Sequence, residues 1–206
     1  SIFDDVDAII YVGGLSPKLE GEEMRVNYKG FKGGDRTSIE LPETQRQYIA
    51  ELAKTGKPII FVHLSGSAVA LAPEAEICDA ILQGWYAGQQ GGTAIADVLF
   101  GDYNPAGRLP VTFYASDADL PDFGDYDMPG HTYRYFQGKP LFPFGFGMSY
   151  TTFEYSDLQV AQDGAEFVVS YNVKNTGKMA GAEVSQVYVK DNVSSLVRPE
   201  KELKGF

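Results

Sequence analysis

Two short, continuously apolar runs, Ile9-Ile10-Tyr11-Val12 and Ile59-Ile60-Phe61-Val62, constrain this chain more than any other feature. Runs of this length and texture are those of strands buried on both faces of a parallel sheet. Between them, the segment from Glu43 to Lys54 places Tyr48, Ile49, Leu52 and Ala53 on one helical face, with Pro42 suited to the first helical position and Gly56 to the stop. A third apolar run from Ala80 to Tyr86 and a small-residue helix from Thr93 to Leu99 follow. This order predicts an α/β domain with a mostly parallel sheet, its strands ending in Gly-rich turns along one edge.

After Gly101 the texture changes. Asn104 to Pro110 reads as a turn, residues 115–131 are acidic and rich in Pro and Gly, and Phe142 to Tyr150 carries too many aromatics and glycines for a helix. From Phe153 the pattern alternates, and the runs Phe167 to Val173 and Val184 to Val189 flank the turn-rich Lys174-Asn175-Thr176-Gly177. That is the pattern of an antiparallel β-sandwich, of which three or four strands fit before Phe206.

Composition removes several classes of function. The 206 residues are 44% hydrophobic, enough for a real core in one large or two small domains. A formal charge of -11 without any basic run argues against a nucleic-acid or anionic-membrane partner, and no apolar stretch approaches a membrane span. The single cysteine, Cys78, lies in an apolar run and reads as a buried structural thiol, so neither a disulfide framework nor a Cys-based metal site is expected. His63 and His131 lack H-x-x-x-H spacing, which leaves no metal or cofactor to expect. The glycines at 88, 91 and 92 match neither phosphate-binding spacing, and Ser65 lacks the first glycine of a nucleophile elbow. His63 beside it reads as a packed residue rather than a base.

What remains is carboxylate chemistry. Leu19-Glu20-Gly21-Glu22-Glu23-Met24, running on to Gly33-Gly34-Asp35-Arg36, sets three carboxylates on a loop beyond the carboxyl end of the first strand, where open α/β sheets bind ligands. Residues 15–41 make a loop longer than a compact domain carries without a functional reason. Glycoside hydrolysis needs two carboxyl groups held roughly 5 to 9.5 Å apart. Glu22 and Glu23 are adjacent and would point in opposite directions in an extended loop, so one of them can supply the acid/base while its partner comes from elsewhere.

That loop, together with Gly84-Trp85-Tyr86-Ala87-Gly88-Gln89, the run from Ala96 to Pro110, and Phe142-Pro143-Phe144-Gly145-Phe146-Gly147-Met148-Ser149-Tyr150-Thr151, resembles the C-terminal half of glycoside hydrolase family 3, the β-glucosidases and β-xylosidases. The resemblance implies an N-terminal (β/α)8 barrel, an α/β sandwich domain and a fibronectin-III-like domain. On that plan residues 1–115 are the later part of the sandwich domain, 116–150 a linker and wrapping segment, and 151–206 an incomplete fibronectin-III-like domain. It places the nucleophilic aspartate on the barrel and the acid/base at Glu22. Glu23 stands where the family usually has glycine, and Asp35-Arg36 match a frequent Asp-Arg pair. Glu23 and Arg36 are the substrate-binding candidates that follow, Arg36 having a loop-fixing role as its alternative, while Trp85 and Tyr86 are expected to pack under the loop, with a reach into the sugar subsites as their alternative.

The implied activity is retaining exo-hydrolysis of a terminal β-xylosyl or β-glucosyl residue from an oligosaccharide or aryl β-glycoside, without a cofactor. The chain's partner would be the barrel of the same polypeptide, and without it no hydrolysis is expected. The resemblance favours a periplasmic or secreted compartment over the cytoplasm. The alternative is a non-catalytic carbohydrate-binding or scaffold module, in which the acidic loop only docks a partner domain.

Overall fold

The structure, a computed structural model, describes residues 3–21 and 23–206. Its organising element is a three-stranded parallel sheet in the order β1-β5-β6. Strand β1 (Ile9–Gly14) is followed by α1 (Pro17–Glu20), a meander of two-residue strands β2 (Asn27–Tyr28), β3 (Phe31–Lys32) and β4 (Asp35–Arg36), and helix α2 (Glu43–Ala53). Strand β5 (Ile59–Leu64), α3 (Ala72–Ile77), β6 (Ala80–Gln83) and α4 (Gly91–Phe100) complete the α/β domain. Ile9 stands opposite Ile59 and Gly14 opposite Leu64, while Ile60 to His63 pair with Ala80 to Gln83.

Only the central strand has the burial that its apolar run predicts. Phe61, Val62 and His63 of β5 are fully buried, whereas Ile10 and Val12 of β1 are 47% and 58% exposed. Strand β1 lies at the edge of the three described strands, with the face that carries Ile10 and Val12 open. Its other face meets α2, and Ile49 and Phe61 join Leu15, Leu41, Val69 and Leu71 in one core cluster. Pro42 turns out to be the N-cap residue of α2 rather than its first helical residue, because its ψ of 128° is not helical. Tyr48 lies at the margin of the apolar face, more than half exposed. Helix α3, which the periodicity leaves unannounced, is opened by Pro73 in its first turn.

Beyond Gly101 the chain wraps the α/β unit. The backbones of Phe113 and Phe142 form an antiparallel bridge, Phe142 stacks on Phe146, and Trp85 meets Phe113 edge-on at 6.0 Å. Asn104 accepts from Ser149 Oγ and from the Tyr150 amide, each at 2.8 Å, and donates to Ala180 O at 3.0 Å. The ion pair of Arg108 with Glu183 at 2.6 Å adds a charge-assisted link between the wrap and the last segment.

A four-residue helix α5 (Thr132–Tyr135) precedes two antiparallel pairs: β7 (Phe153–Asp163) with β8 (Glu166–Asn175), and β9 (Val187–Val189) with β10 (Glu202–Gly205). Strand β8 thus finds its partner upstream, across the tight Gly164 turn, and not across Lys174-Asn175-Thr176-Gly177. Of the run from Val184 to Val189 only its last three residues are strand.

Candidate active site

The acidic loop is built from its two ends inward. Ser16 caps α1, its Oγ accepting from the Leu19 amide at 3.2 Å, and Pro17 sits in the first turn, where a missing N–H costs nothing. Gly21 closes the helix in the left-handed region at φ 69°, its amide reaching Pro17 O at 3.0 Å. A turn follows, in which the Met24 amide donates to Gly21 O at 2.8 Å. From the far side Gly34 closes onto this turn: a Cβ there would stand 2.8 Å from Gly21 O and 2.9 Å from Met24 O, so only glycine allows the approach. The meander β2-β3-β4 is therefore the strut that brings the chain back against its own turn.

Glu22, the expected acid/base, lies outside the described residues. Glu23 is exposed and holds a left-handed backbone at φ 55°. A side chain in that region costs roughly 1–2 kcal/mol, which gives a physical reason for glycine at this position. Glu23→Gly is therefore expected to leave the melting temperature unchanged or raise it by a few degrees, relief of the strained φ outweighing glycine's larger unfolded-state entropy. A calorimetric scan showing a clear fall would contradict this.

Arg36 turns toward the protein. Its Nη1 donates to Ser67 Oγ at 2.9 Å and Ala68 O at 3.2 Å, and its Nε donates to Ser38 O at 3.2 Å. Its Nη2 is buried with no hydrogen-bond partner among the described residues. Burial pulls the Arg36 pKa down, opposed by the charge of Glu20 and Asp117 and by Tyr86. Arg36 fixes the end of the meander to the loop after β5, and Asp35 beside it is exposed.

Several residues at the site carry no motif. Tyr86 Oη donates to Glu20 Oε2 at 2.8 Å, and Ser67 Oγ approaches Glu20 Oε1 at 3.5 Å. Burial first, and then the hydrogen bond and charge of Glu20, push the Tyr86 pKa up to about 12, so this phenol remains a donor. Asp117, in a short 3-10 turn over Asp117–Asp119, accepts from the Ile39 amide at 2.7 Å and donates its own amide to Glu40 at 3.3 Å. Beneath them, His63 Nδ1 meets Gln83 Oε1, Gln83 Nε2 donates to Ser65 Oγ at 3.1 Å, and Ser65 Oγ donates to Ser67 O at 2.8 Å. The only sequence signal for these contacts is position: each of Ser65, Ser67, Gln83 and Tyr86 falls at or just past a strand's carboxyl end.

Burial drives the His63 pKa down to about 4, helped by Arg36 and opposed by the bond to Gln83. The imidazole is thus neutral in the folded protein and serves packing rather than acid–base work. Because the unfolded chain takes up a proton near pH 6.5 and the folded one does not until about 4, stability falls as pH drops through that window. Melting temperatures recorded from pH 7 to 4 are expected to decline less steeply in His63→Gln than in the parent. Cys78 is half-buried, and burial, with Glu74 and Asp79 adding, lifts its thiol to about 11, which removes it as a nucleophile.

Two surface hollows lie away from the loop, one lined by Tyr11, Gln45, Tyr48 and Glu51, the other by Tyr114, Tyr133 and Phe144. Glu23 lines neither. Among the described residues no cluster of three metal-ligating side chains occurs, and no helix is long and apolar enough to cross a membrane.

Residues 1–150 match the family model for the glycosyl hydrolase family 3 C-terminal domain. The chain is 57% identical over 203 residues to a xylan 1,4-beta-xylosidase of Xylanibacter ruminicola, covering 98% of this chain and 23% of that protein. It is 44% identical over 191 residues to a periplasmic beta-glucosidase of Salmonella typhimurium, covering 85% of this chain and 25% of that protein. The solved structure of a Bifidobacterium adolescentis beta-glucosidase superposes with a TM-score of 0.84 at 32% identity, over 98% of this chain and 30% of that one. The chain spans about a quarter of the length of the curated relatives it matches.

Proposed function

The chain belongs to glycoside hydrolase family 3, as a C-terminal domain of that family, and from this premise we propose that it carries the acid/base loop of a retaining exo-β-glycosidase. The observation that carries the proposal is the loop itself. It is closed on itself by the cap at Gly21 and the close approach of Gly34, it is tied to the ends of β5 and β6 through Arg36 with Ser67 and Glu20 with Tyr86, and its Glu23 is exposed. Such a loop completes an active site from outside. The second carboxylate comes from a (β/α)8 barrel of the same polypeptide, for which the relatives' greater length leaves room.

In the first step Glu22 gives its proton to the glycosidic oxygen as the barrel carboxylate attacks the anomeric carbon, and the aglycone leaves as a neutral alcohol. In the second, the Glu22 carboxylate takes a proton from water as that water attacks the same carbon, and the barrel carboxylate departs. The hydrolysed bond is that of a terminal β-xylosyl or β-glucosyl residue, and the 57% identity to a protein named for xylan 1,4-beta-xylosidase activity favours xylosyl. A periplasmic or secreted setting fits this reading and agrees with the name of the Salmonella relative. Residues 151–206, with their two antiparallel pairs, start a fibronectin-III-like module after the 116–150 linker.

Azide tests the assignment. In the full-length polypeptide, Glu22→Ala leaves a space beside the glycosyl intermediate, and added azide is expected to restore turnover on an aryl β-xyloside by forming the β-xylosyl azide. If Glu22→Ala turns over like the parent and yields no azide product, this loop is not the catalytic one, and the docking role becomes the better reading.

A further inference from the structure

The third carboxylate of the loop, Glu20, is committed to holding rather than reacting. It ends α1, directly before the Gly21 cap from which the acidic turn departs. One oxygen accepts from the Tyr86 hydroxyl at 2.8 Å, and the other faces Ser67 Oγ at 3.5 Å, itself held by Arg36 at 2.9 Å. Ser67 follows β5 and Tyr86 follows β6, so two strands of the sheet converge on one carboxylate. Room for this is made by Gly66, where a Cβ would stand 2.8 Å from the Tyr86 ring and 3.1 Å from Glu20 Oε2. The contact is continued into the core by Ser65, Gln83 and His63, which is fully buried.

We propose that Tyr86 and Glu20 form a latch that sets the position of the acid/base loop, with Tyr86 as a positioning residue for proton transfer to the leaving group. The inference rests on the assignment of the acid/base to this loop. A general acid must come within hydrogen-bond reach of the oxygen it protonates, and an error of about 1 Å can cost on the order of 10²-fold in rate. Nothing else from β6 or the turn after it is hydrogen-bonded to α1 or the acidic turn among the described residues. The latch contributes through Glu20, to which the Tyr86 hydroxyl gives its one proton.

The test separates proton donation from everything else. The full-length polypeptide carrying Tyr86→Phe is assayed on methyl β-xyloside, whose leaving group needs protonation, and on 2,4-dinitrophenyl β-xyloside, whose leaving group does not. Loss of the latch is expected to lower kcat/KM on the first by roughly tenfold or more while leaving the second within about twofold. Glu20→Gln, which keeps an oxygen for the Tyr86 hydroxyl, should show the same selectivity more weakly. Equal losses on both substrates, or no loss on either, overturn the proposal, since a general loosening of the fold cannot distinguish leaving groups. Glu22→Ala is measured alongside. A selective loss there with an unselective Tyr86→Phe discards the latch and keeps the acid/base assignment. A selective Tyr86→Phe with an unaffected Glu22→Ala keeps the latch and moves the acid to another carboxylate of the loop.

Discussion

Glu22→Gln in the full-length polypeptide is expected to lower kcat/KM on an alkyl β-xyloside by about 10²- to 10⁴-fold, the range that a positioned general acid contributes. The loss is not uniform. An amide of the same shape still fills the loop but has no proton to give, so cleavage that depends on leaving-group protonation suffers and cleavage of an activated aryl glycoside suffers least. The pH profile changes in a defined direction. A carboxyl group that donates near neutral pH needs a pKa raised toward about 6 by desolvation or by a neighbouring negative charge. Activity then falls as pH rises past that value and the acid ionises. In Glu22→Gln this alkaline limb disappears, while the acidic limb, which belongs to the nucleophile, stays. Stopped assays from pH 4 to 9 on both classes of substrate decide the matter. A variant that keeps its alkaline limb locates the acid elsewhere.

The sheet was legible in the sequence because its evidence is local. Apolar runs give β1, β5 and β6, one amphipathic face gives α2, and the glycines that close strands point to one functional edge. What escaped was set by partners distant in the chain. The run Ile9-Ile10-Tyr11-Val12 has the composition of a doubly buried strand, yet within this span Ile10 and Val12 are exposed, because burial depends on the elements packed against a strand and not on its own residues. Strand β8 pairs with β7 across a two-residue Gly-containing turn, while the more conspicuous Lys174-Asn175-Thr176-Gly177 serves to leave the pair.

The site divides in the same way. Three carboxylates on a Gly-punctuated loop mark the place, yet the partner of Glu20 is Tyr86, sixty-six positions away, and Asp117 reaches the loop from a stretch that reads only as acidic. Arg36 could be singled out by its motif, but whether it faces sugar or protein depends on where Ser67 and Ala68 lie. Proximity of this kind follows from the sheet register, which carries the ends of β5 and β6 to the foot of α1.

Glu74→Ala is expected to lower stability by about 3 kcal/mol, toward the lower end of what breaking a buried ion pair costs. For a chain of this size that corresponds to a fall of roughly 6–12 °C in melting temperature. Glu74 is fully buried in the first turn of α3, where its charge also faces the favourable end of the helix dipole. Arg46 of α2 grips it with two bonds, Nε to Oε1 at 2.8 Å and Nη2 to Oε2 at 3.2 Å. The same guanidinium reaches Glu40 Oε2 at 2.9 Å and Ala70 O at 3.0 Å. Burial works against the charge of Arg46, and its hydrogen bonds to Glu74 and Glu40 outweigh that effect, so its pKa is raised. Removing Glu74 leaves a cavity and a guanidinium short of one counter-charge. Arg46 is only partly buried and retains Glu40, which is why the low end of the range applies. The paired replacement Glu74→Leu with Arg46→Met removes both charges and fills the space, and it is expected to cost less than Glu74→Ala alone. Thermal unfolding followed by circular dichroism on the parent and both variants checks the order. Should the double variant prove the less stable, the pair's bonds to Glu40 and Ala70 matter more than the burial of its charges, and the tie between the end of the acidic loop and the core is what Arg46 provides.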